Sequence, residues 1–171
     1  SVERLWALNQ AVEYLEANSI PGDFVECGVW RGGSAFLMAA TLSDLGSTSR
    51  EVFLFDTFEG MVPPTNLDIR SGGKPAAEIL EEHQEKKSES LVWAVAARKE
   101  VEANMSVSGY PPQKIRFVQG DVIETLESQA PKTIALARLD TDWYESTKHE
   151  LQVLVPRMVK GGSSSLTITE I

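Results

Sequence analysis

Phe24-Val25-Glu26-Cys27-Gly28-Val29-Trp30-Arg31-Gly32-Gly33 passes from a short apolar segment into a glycine turn, and residues 33–45, rich in Ala, Met and Leu, follow at once. An apolar run too short for a helix, closed by glycine and leading into a helical pattern, reads as a buried strand feeding a crossover. Upstream, Leu5, Leu8, Val12 and Leu15 recur at helical spacing across residues 3–18, until Pro21-Gly22-Asp23 breaks the pattern. Downstream the alternation repeats. Residues 52–55 form a second buried strand ending at Asp56, residues 92–107 a helix, and residues 115–118 a third strand. Residues 134–139 make a fourth strand and residues 144–158 another helix. Strands alternating with helices predict an α/β domain built on a doubly wound, mostly parallel sheet with helices on both faces.

Composition sets the outer bounds. A chain of 171 residues, 42% hydrophobic and 24% charged, has the size and mix of one globular domain. No apolar run approaches the roughly 20 residues of a membrane span, and no secretory leader is read at the start. The single cysteine excludes an internal disulfide, so a cytoplasmic setting and no membrane partner are expected. With 16 basic against 25 acidic residues, the surface repels phosphate backbones, and nucleic acid is not an expected partner. An acidic pocket of this kind would instead accept a cation.

Two stretches depart from the alternation. Residues 59–90 carry Pro63-Pro64, Gly72-Gly73-Lys74-Pro75 and a charged run at 81–87. So long a connection predicts a flap with a helical piece. At the other end, Gly161-Gly162 leads into Ser163-Ser164-Ser165 where a fifth apolar strand is due, and the alternation from 166 to 171 suits an edge strand. A parallel strand and its crossover are thus expected to be missing after Gly162.

Ligands of open α/β sheets bind where the strands end, so chemistry is sought there. At the first strand, an acidic residue precedes a glycine turn that lacks the Gly-x-Gly-x-x-Gly dinucleotide pattern; this suits a cationic amino-acid ligand, or simply a tight turn. Asp56 ends the second strand, where a carboxylate can accept both hydroxyls of a ribose, or serve as a turn residue. Gly120-Asp121 follows the third strand; Asp121 suits either a nucleobase amino group or the N-cap of the next helix. Asp140 and Asp142 follow the fourth and project to one side of an extended chain. Paired carboxylates repel unless a cation or a proton relieves them. Magnesium with Asp140, a substrate hydroxyl, and Asp142 as proton acceptor would do so; a helix-capping pair is the plainer alternative. Cys27 reads as a small buried residue, His83 as solvated and His149 as a helix-surface residue. No Ser-His-Asp arrangement or zinc cluster is present in the pattern.

Taken in order, residues 21–33, Asp56-Thr57-Phe58-Glu59-Gly60 and residues 139–147, with Trp93-Ala94-Val95 as a helix start and Gly161-Gly162, resemble the macrocin O-methyltransferase family across residues 3–162. The resemblance implies a Rossmann-like sheet of order 3-2-1-4-5-7-6 with the last strand antiparallel, S-adenosylmethionine and Mg2+ as cofactors, and a hydroxylated acceptor such as a glycosylated natural product. It places Glu26, Cys27, Gly28, Asp56, Thr57, Gly120 and Asp121 around the cofactor, makes Asp140 a metal ligand and Asp142 the catalytic base. One departure stands out: the resemblance calls for an Asp-Asp pair after Gly161-Gly162, and none is there. That departure keeps a non-catalytic cofactor-binding protein in contention, whereas a nicotinamide-dependent oxidoreductase is disfavoured by the missing dinucleotide pattern. The amphipathic first helix would suit a homo-oligomer.

Overall fold

The computed structural model describes residues 1–166. Strands β1 (Asp23–Cys27), β2 (Val52–Asp56), β3 (Ile115–Gln119), β4 (Ile134–Leu139) and β5 (Met158–Leu166) form one sheet in the order β3-β2-β1-β4-β5. Every neighbouring pair is parallel. Helices α1 (Val2–Ala17), α2 (Gly33–Asp44), α3 (Ala76–Glu82), α4 (Arg98–Ser106), α5 (Val122–Gln129) and α6 (Tyr144–Leu154) complete the chain. The order agrees with the first five places of the expected sheet; its last two strands have no counterpart among the described residues.

Short apolar strands paired on both sides need cover on both faces, and two core clusters supply it. On one face α1, α2 and α4 bring Leu8, Val12, Leu15, Met38, Leu42, Val101 and Met105 against Phe24, Val52 and Leu54. On the other, α5 and α6 bring Val122, Leu126 and Leu154 against Val25, Cys27, Phe55 and Ala137. Phe24 and Val25 falling in different clusters is the period-two alternation of a strand buried on both sides. Strand order runs outward in opposite directions from β1 and β4, so the crevice between the loops that leave them is the topological switch point.

Three expectations need correction. The helix expected from residue 92 starts at Arg98, because Ala94 has φ 46° and the preceding turn is bonded to the flap instead. There the Met61 amide donates to the Trp93 carbonyl at 3.1 Å, and the Trp93 indole Nε1 donates to the Leu80 carbonyl at 3.1 Å. The helix expected to reach 158 stops at Leu154; a 3-10 turn, Val155–Arg157, with Pro156 inside it, follows. Finally, the fifth strand does not begin after Gly161-Gly162 but runs through them, from Met158 to Leu166. Pairing with β4 jumps from Met158↔Ile134 to Ser163↔Leu136, so the glycine pair lies in a bulge and the serines resume the same strand. β5 ends in Ser163-Ser164-Ser165-Leu166 without an acidic pair; the remainder of the expected edge strand, 167–171, lies outside the described residues.

Gly28 joins the two switch-point loops. Its φ is +78°, and a Cβ there would stand 2.3 Å from the Asp140 carbonyl oxygen. Gly28→Ala is therefore expected to lower the unfolding free energy by about 2 kcal/mol in urea titration; an unchanged curve would show that these loops are not pinned together.

Candidate active site

Parallel register sets Glu26 opposite Arg138, and the two-residue period puts Asp140 on the same face one step further along β4. The result is one guanidinium between two carboxylates. Arg138 Nη1 donates to Glu26 Oε1 at 2.6 Å, and Nη2 donates to Asp140 Oδ2 at 2.6 Å. The other oxygens, Glu26 Oε2 and Asp140 Oδ1, are buried without a partner. Burial pushes the Glu26 carboxyl up to about 7, with Arg138 opposing and Asp140 adding to the rise. Asp140 is also raised by burial, against the pull of Arg138.

The row of acids extends beyond these two. Burial, and then repulsion from Asp140, pushes Asp142 up to about 6. Glu150 on α6 is fully buried; its Oε1 accepts a 2.7 Å bond from Thr141 Oγ1 while Oε2 has no partner. Burial pushes Glu150 up to about 8, the Thr141 bond opposing and Asp140 adding.

Asp56 works first as an architectural group. Its Oδ2 accepts from the amides of Val29 at 2.7 Å and Trp30 at 2.9 Å, and its Oδ1 accepts from the Phe58 amide at 2.7 Å. This carboxylate thereby ties the loop after β1 to the loop after β2. A carboxylate offers about four lone-pair positions, so one on Oδ1 is left for a ligand hydroxyl. Thr57 Oγ1 donates to the Gly60 carbonyl at 2.6 Å, and the Gly120 amide donates to the Asp56 carbonyl at 3.0 Å. Asp121 is the N-cap of α5, accepting from the Ile123 amide at 2.9 Å through Oδ1.

These strand ends share one cavity of about 470 Å³, within the range of small-molecule sites. Gly28, Asp56, Thr57, Gly120 and Asp121 line it, together with Asp140 and Asp142. Met61, Val62, Leu91, Val92 and Trp143 add an apolar wall from the flap and its surroundings. Backbone strain gathers at the same place: Trp30 (φ 48°) and Ala94 (φ 46°) line the cavity, and Phe58 (φ 55°) follows lining residue Thr57.

Two residues expected at the cofactor do not line the cavity. Cys27 is fully buried in the core facing α5 and α6, and its carbonyl accepts from the Asp140 amide. Burial, with Glu150, Glu26 and Asp56 adding, pushes its thiol upward, so it is inert. Glu26, 1% exposed, is absent from the lining and is bonded to Arg138. His83 is exposed, as expected, but His149 is half-buried with Nε2 unpartnered rather than on the helix surface. Arg138 and Glu150 were not singled out by sequence reasoning. Arg138 is the one charge in the otherwise apolar Ile134–Leu139 run, and Glu150 falls four residues from both Ser146 and Leu154 on the buried face of α6.

The macrocin O-methyltransferase (TylF) family profile matches residues 1–166. A tetracenomycin-C 4'-O-methyltransferase of Streptomyces olivaceus, whose name specifies a dimethoxy-rhamnosyl substrate, is 38% identical over 94% of this chain and 58% of its own length. Demethyldecarbamoylnovobiocin O-methyltransferase of Streptomyces niveus is 34% identical over the same shares of each chain. Among solved structures, the O-methyltransferase NovP superposes with a TM-score of 0.80 at 32% identity, covering 97% of this chain and 64% of NovP. The calicheamicin methyltransferase CalS11 shares the fold at 23% identity, with a TM-score of 0.72 over 96% of this chain and 63% of its own. The chain thus spans less than two thirds of the length of these relatives.

The raised acids make stability depend on pH in a defined direction. A carboxyl whose folded pKa lies above its unfolded value binds its proton more tightly when folded, so stability is full below the unfolded value and falls as pH climbs through the folded one. Glu26, Asp142 and Glu150 place that fall between about pH 4 and pH 8. The slope reaches about 1.4 kcal/mol per pH unit for each titrating group. Denaturant titrations across this interval are expected to show declining stability, and Glu150→Gln to flatten the upper part; stability rising from pH 5 to 8 would contradict the burial of these groups.

Proposed function

The chain belongs to the macrocin O-methyltransferase family, and on that premise we propose that it methylates a sugar hydroxyl of a glycosylated natural product, using S-adenosylmethionine. The observation that carries the reading is the single cavity at the switch point, which joins the nucleoside-type strand ends at Asp56 and Asp121 to the raised carboxyl of Asp142. A rhamnosyl hydroxyl, as in the name of the Streptomyces olivaceus relative, is the model acceptor.

The residues fit the cofactor at several points. Asp56 keeps a lone pair for a ribose hydroxyl, Gly28 lines the cavity without a side chain, and Glu26, which does not line it, holds Arg138 and through it Asp140. Asp121 keeps its second oxygen for the amino group of the base. When bound, S-adenosylmethionine supplies a methyl group on a sulfonium, open to in-line attack by oxygen with the thioether as leaving group. Asp142 receives the hydroxyl proton as that oxygen attacks. Its elevated proton affinity makes it a better acceptor than an ordinary surface carboxylate, while leaving it ionised above about pH 6. With an acceptor seated, the apolar wall of Met61, Val62 and Trp143 would limit water at the attack line.

Magnesium is less well provided for. Asp140 is the donor that the family resemblance implies, yet its Oδ2 is held by Arg138 and only Oδ1 is unpartnered. Among the described residues no three His, Cys, Asp or Glu side chains assemble into a metal-holding group. Asp140 and Asp142 alone do not make a resident site, and no step above runs through a metal.

The test is methyl transfer from labelled S-adenosylmethionine to a panel of natural products with free rhamnosyl hydroxyls. Label is expected on a sugar oxygen, with S-adenosylhomocysteine released in equal amount. Asp142→Asn should reduce turnover by about 10²- to 10⁴-fold and leave S-adenosylhomocysteine affinity, measured by calorimetry, nearly unchanged. Full turnover in that variant removes Asp142 from the base role; tight S-adenosylhomocysteine binding with no transfer to any acceptor would favour a non-catalytic binder.

A further inference from the structure

Asp68 is a buried carboxylate, 7% exposed, that the mechanism leaves unused. It lies in the flap, in the irregular stretch before α3. Its Oδ2 accepts from the Thr65 amide at 2.6 Å and from Thr65 Oγ1 at 2.9 Å, which folds the flap into a local turn. Its Oδ1 points elsewhere in the chain, accepting from the amide of Tyr144 at 2.8 Å across 76 residues of sequence.

Tyr144 is the first residue of α6, and the first amides of a helix lack partners within the helix. A side chain at the N-cap position ordinarily supplies one. Here the N-cap residue is Trp143, which makes no cap bond; its indole Nε1 donates outward to the Val62 carbonyl of the flap at 2.8 Å. A carboxylate at this end is also favoured by the helix dipole. Two bonds therefore join helix and flap, both donated from the start of α6 and accepted in the flap: Asp68 gives α6 its cap, and the Trp143 indole, which cannot cap, holds the flap at Val62. Asp142 stands immediately before this junction.

We propose that Asp68 is a positioning residue, capping α6 from the flap so that the placement of Asp142 depends on the flap being seated over the cavity. The assignment rests on Asp142 being the base, while the bond to Tyr144 stands apart from it. When the flap lifts, α6 loses its cap and Asp142 its anchor; when the flap seats on an acceptor, both are restored. Binding of the acceptor and arming of the base become one event.

Amide hydrogen exchange on the whole chain tests the bond without any acceptor. Asp68→Ala should speed exchange at Tyr144 and Thr65 by about tenfold or more, and speed tryptic cleavage after the exposed Arg70, while β1 amides keep their rates. Asp68→Asn keeps one oxygen for the Tyr144 amide but cannot accept from the Thr65 amide as well, and should fall between. S-adenosylhomocysteine affinity should stay within about twofold in both variants. With a rhamnosylated acceptor, turnover should fall about tenfold in Asp68→Ala and be partly rescued in Asp68→Asn. Unchanged exchange at Tyr144 overturns the cap. Faster exchange with undiminished turnover overturns the positioning role, as does loss of S-adenosylhomocysteine binding, which would mark general disruption. Absence of turnover in the unsubstituted chain overturns the methyl-transfer reading instead, leaving the exchange rates to decide the cap.

Discussion

One arginine balances the acidic rim on which everything else is arranged. Arg138 is held between Glu26 and Asp140, with 13% of its side chain exposed. Two charges taken out of water carry a penalty of several kcal/mol each, offset only by close geometry and further hydrogen bonds. Here the geometry is close, yet one oxygen on each carboxylate has no partner, so the offset is incomplete. A purely structural core would do better with apolar side chains of similar volume. Charge retained at such a place is consistent with a rim that meets a polar ligand.

From that rim the site spreads by short covalent links. Asp140 is followed by Thr141, which bonds the buried Glu150, and then by Asp142, which faces the cavity. Across the switch point, Asp56 ties two loops together through three backbone amides. The lower side is thus rigid, built on strand ends and buried bonds. The upper side is the flap, held through Trp143, Trp93 and Asp68 and otherwise largely exposed. A rigid floor and a lightly held cover suit chemistry that needs both fixed placement and exclusion of water.

Much of this was legible in the sequence, for identifiable reasons. Strands β1, β2 and β4 declared themselves because central parallel strands are short, mostly apolar runs, and β3, an edge strand with Arg116 exposed, because Ile115, Phe117 and Val118 lead into Gly120-Asp121. Asp56, Asp121, Asp140 and Asp142 could be placed at one rim because that rim follows from topology alone. What failed was what depends on side-chain direction or distant contacts. Cys27 ends the right strand but faces the α5–α6 core, a parity that only the register reveals. Residues 92–97 have helical composition, yet contacts with the flap hold Ala94 in a left-handed turn. The glycine pair at 161–162 promised a strand boundary and instead carries a bulge. Arg138 and Asp68 are partners in long-range bonds, and Glu150 bonds a side chain outside its own helix; no local pattern announces those.

A crystal structure of the chain with S-adenosylhomocysteine is the most direct measurement of the central claim. The account predicts the ribose on Asp56 Oδ1, the adenine beside Asp121, and the sulfur turned toward Asp142, with room for an attacking oxygen about 3 to 3.5 Å from the transferred methyl position. Binding elsewhere, or in this cavity with the sulfur directed away from Asp142, would contradict it.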